Sequence, residues 1–153
     1  MELRDASPSE ARAAARWIAA MDPWRSLGYR PAALGRWLAR ATATHRVRVA
    51  VDPVGRRARV LGVAVVQPGV LLGDFIALLA VRPDAAGRGI GRAMMSDIER
   101  ATFPGRRWLY VSHDAANRAA ARFYARLGFR AVARLPDMVA AGRTEVLRRK
   151  ARP

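Results

Sequence analysis

The stretch VRPDAAGRGIGRAMM, residues 81–95, sets Gly87, Gly89 and Gly91 at alternate positions between the apolar run FIALLAV and the helically spaced segment RAMMSDIERAT. A strand ending at Val81, a proline, a glycine turn and a helix start bring unpaired backbone N–H groups and the positive end of a helix dipole to one point. No Cβ blocks approach there, so the turn suits an anion such as phosphate. Neither of two common phosphate loops accounts for it. A P-loop requires Lys-Ser/Thr after its last glycine, where this chain has Arg92-Ala93. The dinucleotide fingerprint requires G-x-G-x-x-G, where this chain has G-x-G-x-G. At this level an ordinary glycine turn into a helix remains the alternative.

Working outward, SPSEARAAARWIAAM predicts a helix with Ser7 as N-cap, Pro8 in the first helical position and Glu10 completing a capping box. DPWRSLGY reads as a loop, and RPAALGRWLARAT as a second helix with Leu34, Trp37, Leu38 and Ala41 on one stripe. HRVRVAV and VLGVAVVQP read as a hairpin turned at DPVGRR, and His45 simply starts its first strand. FIALLAV, unbroken and apolar, predicts a strand buried on both faces. Beyond the glycine turn come a helix with Met94, Met95 and Ile98 inward, the strand RRWLYVS, and a helix from Asn117 to Gly128 in NRAAARFYARLGF. FRAVARLP and TEVLRRK read as closing strands separated by DMVAAGR. The expected architecture is therefore a single α/β domain, residues 1–153, with a mixed sheet and the order β-α-α-β-β-β-α-β-α-β-β.

Composition bounds the chemistry. At 153 residues the chain is long enough for one proper core. It has no cysteine, which removes thiolate nucleophiles, disulfides and thiolate zinc sites. No apolar run reaches the roughly 18 residues a membrane span needs, and MELRDASPSE lacks the basic and apolar regions of a secretory leader, so a cytoplasmic protein without membrane partners is expected. The net charge is +16, with all but one of the 28 Lys and Arg residues arginine, which calls for an anionic partner unless it merely reflects genomic base composition. The arginines are dispersed and form no tail, which argues against a nucleic-acid binder.

LAVRPDAAGRGIGRAM, with Leu79, Val81, Pro83, Arg88, Gly89, Ile90 and Gly91, resembles motif A of the GNAT superfamily of acetyl-CoA-dependent N-acetyltransferases. A second segment, 26 residues after Gly91, is similar to another motif of that family through Asn117, Ala120, Phe123, Tyr124, Gly128 and Phe129. The resemblance is firm from residue 75 to 129 and looser elsewhere. Two departures stand out: Ala86 occupies a position where the family has Gln or Arg, and the VSHDAAN loop is about two residues longer, leaving His113 and Asp114 without secure counterparts.

The resemblance implies a GNAT fold and direct attack of a primary amine, of a small molecule or a peptide, on acetyl-CoA in a ternary complex, with no metal. It implies that the backbone of Leu79, Ala80 and Val81 holds the pantetheine arm and donates to the thioester oxygen. Gly87, Arg88, Gly89, Ile90, Gly91 and Arg92 would cradle the pyrophosphate, Asn117 and Ala120 would flank the arm, and Tyr124 would protonate the departing thiolate. From spacing alone, Ala120, Phe123, Tyr124 and Leu127 equally make a core-facing stripe. Asp74, the one carboxylate at the start of DFIALLAV, is the candidate general base, the alternative being an aspartate that only ends a turn while ordered water takes the proton. Asp22 and Asp137 are candidates for an acceptor's ammonium, and Trp24 and Tyr29 for an aromatic wall. The positive charge favours a carboxylated amine over a polyamine. A non-catalytic acyl-CoA sensor on the same fold remains open, as does a homodimer through the apolar final strands.

Overall fold

The computed structural model describes residues 1–53 and 58–153; the turn expected at DPVGRR falls, for its last four residues, outside the described residues. The elements are β1 (Glu2–Asp5), α1 (Pro8–Ala19), α2 (Pro31–Thr44), β2 (Arg46–Asp52), β3 (Arg59–Val70), β4 (Gly73–Val81), α3 (Ile90–Thr102), β5 (Trp108–Asp114), α4 (Arg118–Arg126), β6 (Arg130–Pro136) and β7 (Thr144–Ala151). This is the expected order, with one 3-10 turn, Pro83–Ala85, added before α3. The seven strands form one sheet, β1-β2-β3-β4-β5-β7-β6, antiparallel except for the parallel β4–β5 pair.

Local chemistry sets the helix ends. Ser7 accepts from the Glu10 amide while the Glu10 carboxylate accepts from the Ser7 amide, the predicted capping box, a device with a value of about 1 kcal/mol. α1 and α2 cover one face of the sheet through Ile18, Leu34 and Leu38, packed on Val49, Val63, Val65, Leu78 and Ala80. α3 and α4 cover the other through Met94, Met95, Ile98 and Tyr124, packed on Val66, Ile76, Leu109 and Val111.

Ile76 and Leu78 ought to share a face, since side chains alternate along a strand, yet Ile76 belongs to the α3 side and Leu78 to the α1 side. The register explains it: Val65 pairs with Leu78 but Val66 pairs with Ile76, so Ala77 is an extra residue bulged out of β4. Consequently β4 is not buried on both faces as its apolar run predicts. Ala77 is exposed, and Phe75, Leu79 and Val81 are only half-buried. The bulge coincides with the end of the β4–β5 ladder, which runs from Gly73–Trp108 to Ile76–Val111 and stops. Gly73 permits that short ladder, because a Cβ there would collide with the Trp108 backbone. Past it the two parallel strands part.

The β3–β4 turn is built from Leu71 and Leu72, both with positive φ (46° and 62°) and both exposed. Bulky residues are strained in that region, and two-residue hairpins of this kind favour Asn-Gly. Leu71→Asn combined with Leu72→Gly is therefore expected to raise stability by about 1 kcal/mol, read as a higher urea midpoint with unchanged m.

Candidate active site

The parting of β4 and β5 opens a cleft through the sheet. Its walls are β4 from Ile76 to Leu79, β5 from Val111 to Asp114, α4 through its cap Asn117, Ala120 and Tyr124, and Glu145 of β7. The α1–α2 segment closes it on one side with Trp24 and Tyr29. Along the open edge of β4 the backbone alternates. Arg82 N–H donates to the Leu61 carbonyl on β3, so by strand alternation Ala80 also points its amide to β3 while Leu79 and Val81 point theirs to the cleft. Ala80, expected at the cofactor site together with its neighbours, therefore serves the β3 ladder and buries its methyl under α1 and α2.

At the end of that edge lies the glycine turn. The first bond of α3 runs from Ala93 N–H to Gly89 O, and none of the six N–H groups from Gly87 to Arg92 donates to a protein acceptor among the described residues. Gly87 and Gly89 take φ of 78° and 76°, and a Cβ on either would project into open space, so the turn presents bare amides to solvent. Gly91 serves packing as well, since a Cβ there would come within 3.3 Å of Phe123 on α4. Arg88 and Arg92 flank the nest, Arg88 3.9 Å from Asp52. α3 has no acidic residue in its first turn to compete for these donors. A pyrophosphate fits this donor set, and an extended amide-bearing arm fits the open β4 edge that leads from it into the cleft.

On the far wall Asn117 caps α4, its Oδ1 accepting from the Ala120 amide at 3.0 Å. The Tyr124 ring is buried against Phe123, Phe129 and His113, with centroids 5.2, 5.8 and 6.3 Å away. Its hydroxyl has no protein partner among the described residues, although no buried polar side-chain atom there is left unsatisfied, so it opens onto the cleft. Burial pushes the phenol's pKa up, which keeps it protonated and a donor. His113 also lines the cleft, but its ring is committed: Nε2 accepts from Arg148 Nε at 2.8 Å and Nδ1 faces the Asp114 carbonyl at 2.8 Å. β5 runs through this segment to Asp114, whose Oδ1 accepts from the Ala116 amide.

Asp74 is not placed to act as a base. It sits at the other end of β4 and is absent from the cleft walls. Its carboxylate is bound by the guanidiniums of Arg46 and Arg106, by the Thr102 hydroxyl at 3.2 Å and by the Gly69 amide at 3.2 Å. That arrangement ties β2, β4 and the end of α3 together. Asp74→Asn should lower stability by about 2 kcal/mol, less than a fully buried pair because both arginines keep a third or more of their surface in water. The measurement is chemical denaturation. Asp22 and Asp137 do not line the cleft either. Asp22 is held by Arg25 at 2.8 Å, and Asp137 Oδ1 accepts from the Gly142 amide at 2.7 Å within its own turn.

Two carboxylates line the cleft, Asp114 and Glu145, and sequence reasoning missed Glu145. Glu145 pairs with Asp114 across β5 and β7 and is 8% exposed. The available signal was that it is the only acid on the two final strands. Trp24 and Tyr29 do form an aromatic wall, and Trp37 joins them.

The profile of the acetyltransferase (GNAT) domain family matches residues 43–131, and the chain belongs to that family. Similar solved structures include the ribosomal-protein-S18-alanine N-acetyltransferase from Escherichia coli, at 16% identity, covering 99% of this chain and 93% of that one, TM-score 0.77. Arabidopsis thaliana NAA60, in complex with a bisubstrate analogue, is 19% identical over 98% and 97% of the two chains, TM-score 0.80. An aminoglycoside 6'-N-acetyltransferase complexed with coenzyme A is 14% identical over 100% and 98%, TM-score 0.80. No curated protein matches the chain in sequence. Among the described residues no helix is long and apolar enough to cross a membrane.

Proposed function

We propose that this protein transfers the acetyl group of acetyl-CoA to a primary amine by direct attack within a ternary complex. The observation that carries the proposal is the run of six undonated amides, Gly87 to Arg92, at the head of the open β4 edge. Acetyl-CoA, when bound, supplies the activated thioester. The amides and Arg88 and Arg92 hold its diphosphate, and the outward amides of Leu79 and Val81 bind the arm and the carbonyl oxygen that gains charge, where one such donor contributes roughly 3 kcal/mol. Tyr124, with an open hydroxyl kept protonated by burial, delivers a proton to the leaving sulfur. A module that only sensed acyl-CoA would have no use for an open hydroxyl and an open carboxylate, Tyr124 and Glu145, in one cleft.

The test is calorimetric titration with acetyl-CoA followed by thiol release on a panel of amines; the chain contains no cysteine, so released CoA is the only thiol. Micromolar binding with amine-dependent release is expected. Binding without release from any amine would leave a sensor, and no binding would remove the cofactor assignment.

A further inference from the structure

Glu145 is more than nine-tenths buried, lines the cleft and has no hydrogen bond or ion pair among the described residues. Its cross-strand neighbour is a second carboxylate, Asp114, and like charges directly opposite each other in a sheet are unfavourable. Asp114 is answered by Arg143 at 3.3 Å and by the Ala116 amide; Glu145 has no such partner among the described residues, so its oxygens open onto the cleft, and a mostly buried carboxylate without a counter-charge favours a cationic guest. Beside the cleft lies a recess of about 390 Å³ formed by Trp24, Tyr29, Trp37, Leu34, Ala33 and the β4 bulge at Ala77–Leu78, with no charged residue in its walls among the described residues. Trp24, Tyr29, Ala77 and Leu78 belong to both the recess and the cleft.

We infer that Glu145 holds the acceptor's ammonium and that the acceptor is a monoamine whose uncharged, aromatic body fills the recess walled by Trp24, Tyr29 and Trp37. The inference rests on the transferase reading above. It reverses the expectation of a carboxylated amine, because a substrate carboxylate would meet Asp114 and Glu145, while a polyamine would carry its second charge into apolar walls. In the reaction the ammonium gives one proton to Glu145, and the freed lone pair forms the N–C bond to the thioester carbon as the C–S bond breaks. The sulfur leaves with that bond's electron pair and takes the Tyr124 proton. The second proton of the nitrogen returns through water to Tyr124, and Glu145 releases its proton to solvent, one per turnover.

The experiment compares 2-phenylethylamine, phenylalanine and putrescine as acceptors with acetyl-CoA. The expected result is a kcat/KM for 2-phenylethylamine at least about 50-fold above the other two, because unpaired charge in the site is strongly rejected. Glu145→Gln should lower that kcat/KM by about 100-fold with acetyl-CoA affinity unchanged, which also reports that the variant is folded. Trp24→Ala should raise KM for 2-phenylethylamine about tenfold. Equal turnover of phenylalanine or putrescine, or a Glu145→Gln variant at the wild-type rate, overturns the inference while leaving the transferase reading intact. If acetyl-CoA binds and no amine is acetylated, the transferase reading fails and 2-phenylethylamine titration in the presence of CoA, followed by tryptophan fluorescence, decides the site alone. Binding lost in Glu145→Gln then supports it, and no binding by the wild type overturns it.

Discussion

Tyr124→Phe is expected to lower kcat about 100-fold, equivalent to about 2.7 kcal/mol of barrier, while leaving acetyl-CoA affinity and stability within experimental error. The ring stays in its packing among Phe123, Phe129 and His113, so no cavity forms. The lost hydroxyl has no protein partner among the described residues, so its removal strands no buried donor or acceptor there. What disappears is the proton for the sulfur. Burial raises the phenol's pKa, so it stays protonated up to and past its ordinary ionisation near pH 10. The kcat profile of the wild type should accordingly show no alkaline limb below pH 10 that Tyr124→Phe abolishes. Steady-state kinetics with a saturating amine checks both points, and an unchanged kcat would assign Tyr124 to packing alone.

How far the sequence revealed this molecule depends on the range of the interactions involved. The α1 cap was legible because Ser7, Pro8 and Glu10 act on amides within one turn of themselves. The glycine turn was legible for the same reason: backbone conformation at Gly87 and Gly89 is a local property. The Asp74 assignment failed because its partners lie 28 residues away in Arg46 and Thr102 and 32 away in Arg106, and only folding shows that its oxygens are occupied. Glu145 was hidden in a strand that reads simply as TEVLRRK, its meaning set by a β5–β7 register that brings it opposite Asp114. Ala77 is the clearest case. Nothing in FIALLAV marks the bulged residue, yet its displacement switches Leu78 to the α1 face and coincides with the parting of β4 from β5. Local chemistry thus wrote the glycine turn into the sequence, whereas the placement of Glu145 in the cleft is a product of sheet register.

Gly89→Asp should weaken acetyl-CoA binding at least about 100-fold, because it delivers a carboxylate to the amides that the diphosphate would occupy. At an effective dielectric of about 20, two unit charges 4 Å apart repel by about 4 kcal/mol, and solvent exposure of the turn reduces this to the 2–3 kcal/mol of the expected loss. Charge has to be separated from backbone strain, since Gly89 sits at φ 76° with open space where a Cβ would project. Gly89→Asn provides the control: it has the shape of aspartate, tolerates the left-handed region and carries no charge. Its Kd should stay within about fivefold of wild type. The difference between the Asp and Asn variants should shrink as ionic strength rises, because the interaction is exposed and screened. Equal losses in both would show that the turn's conformation, and not its open amides, sets affinity. Equal retention in both would place the diphosphate elsewhere on the +16 surface. A large loss confined to Asp would tie the anion to the N-terminus of α3, where Ala93 is the first residue whose amide bonds back into the helix.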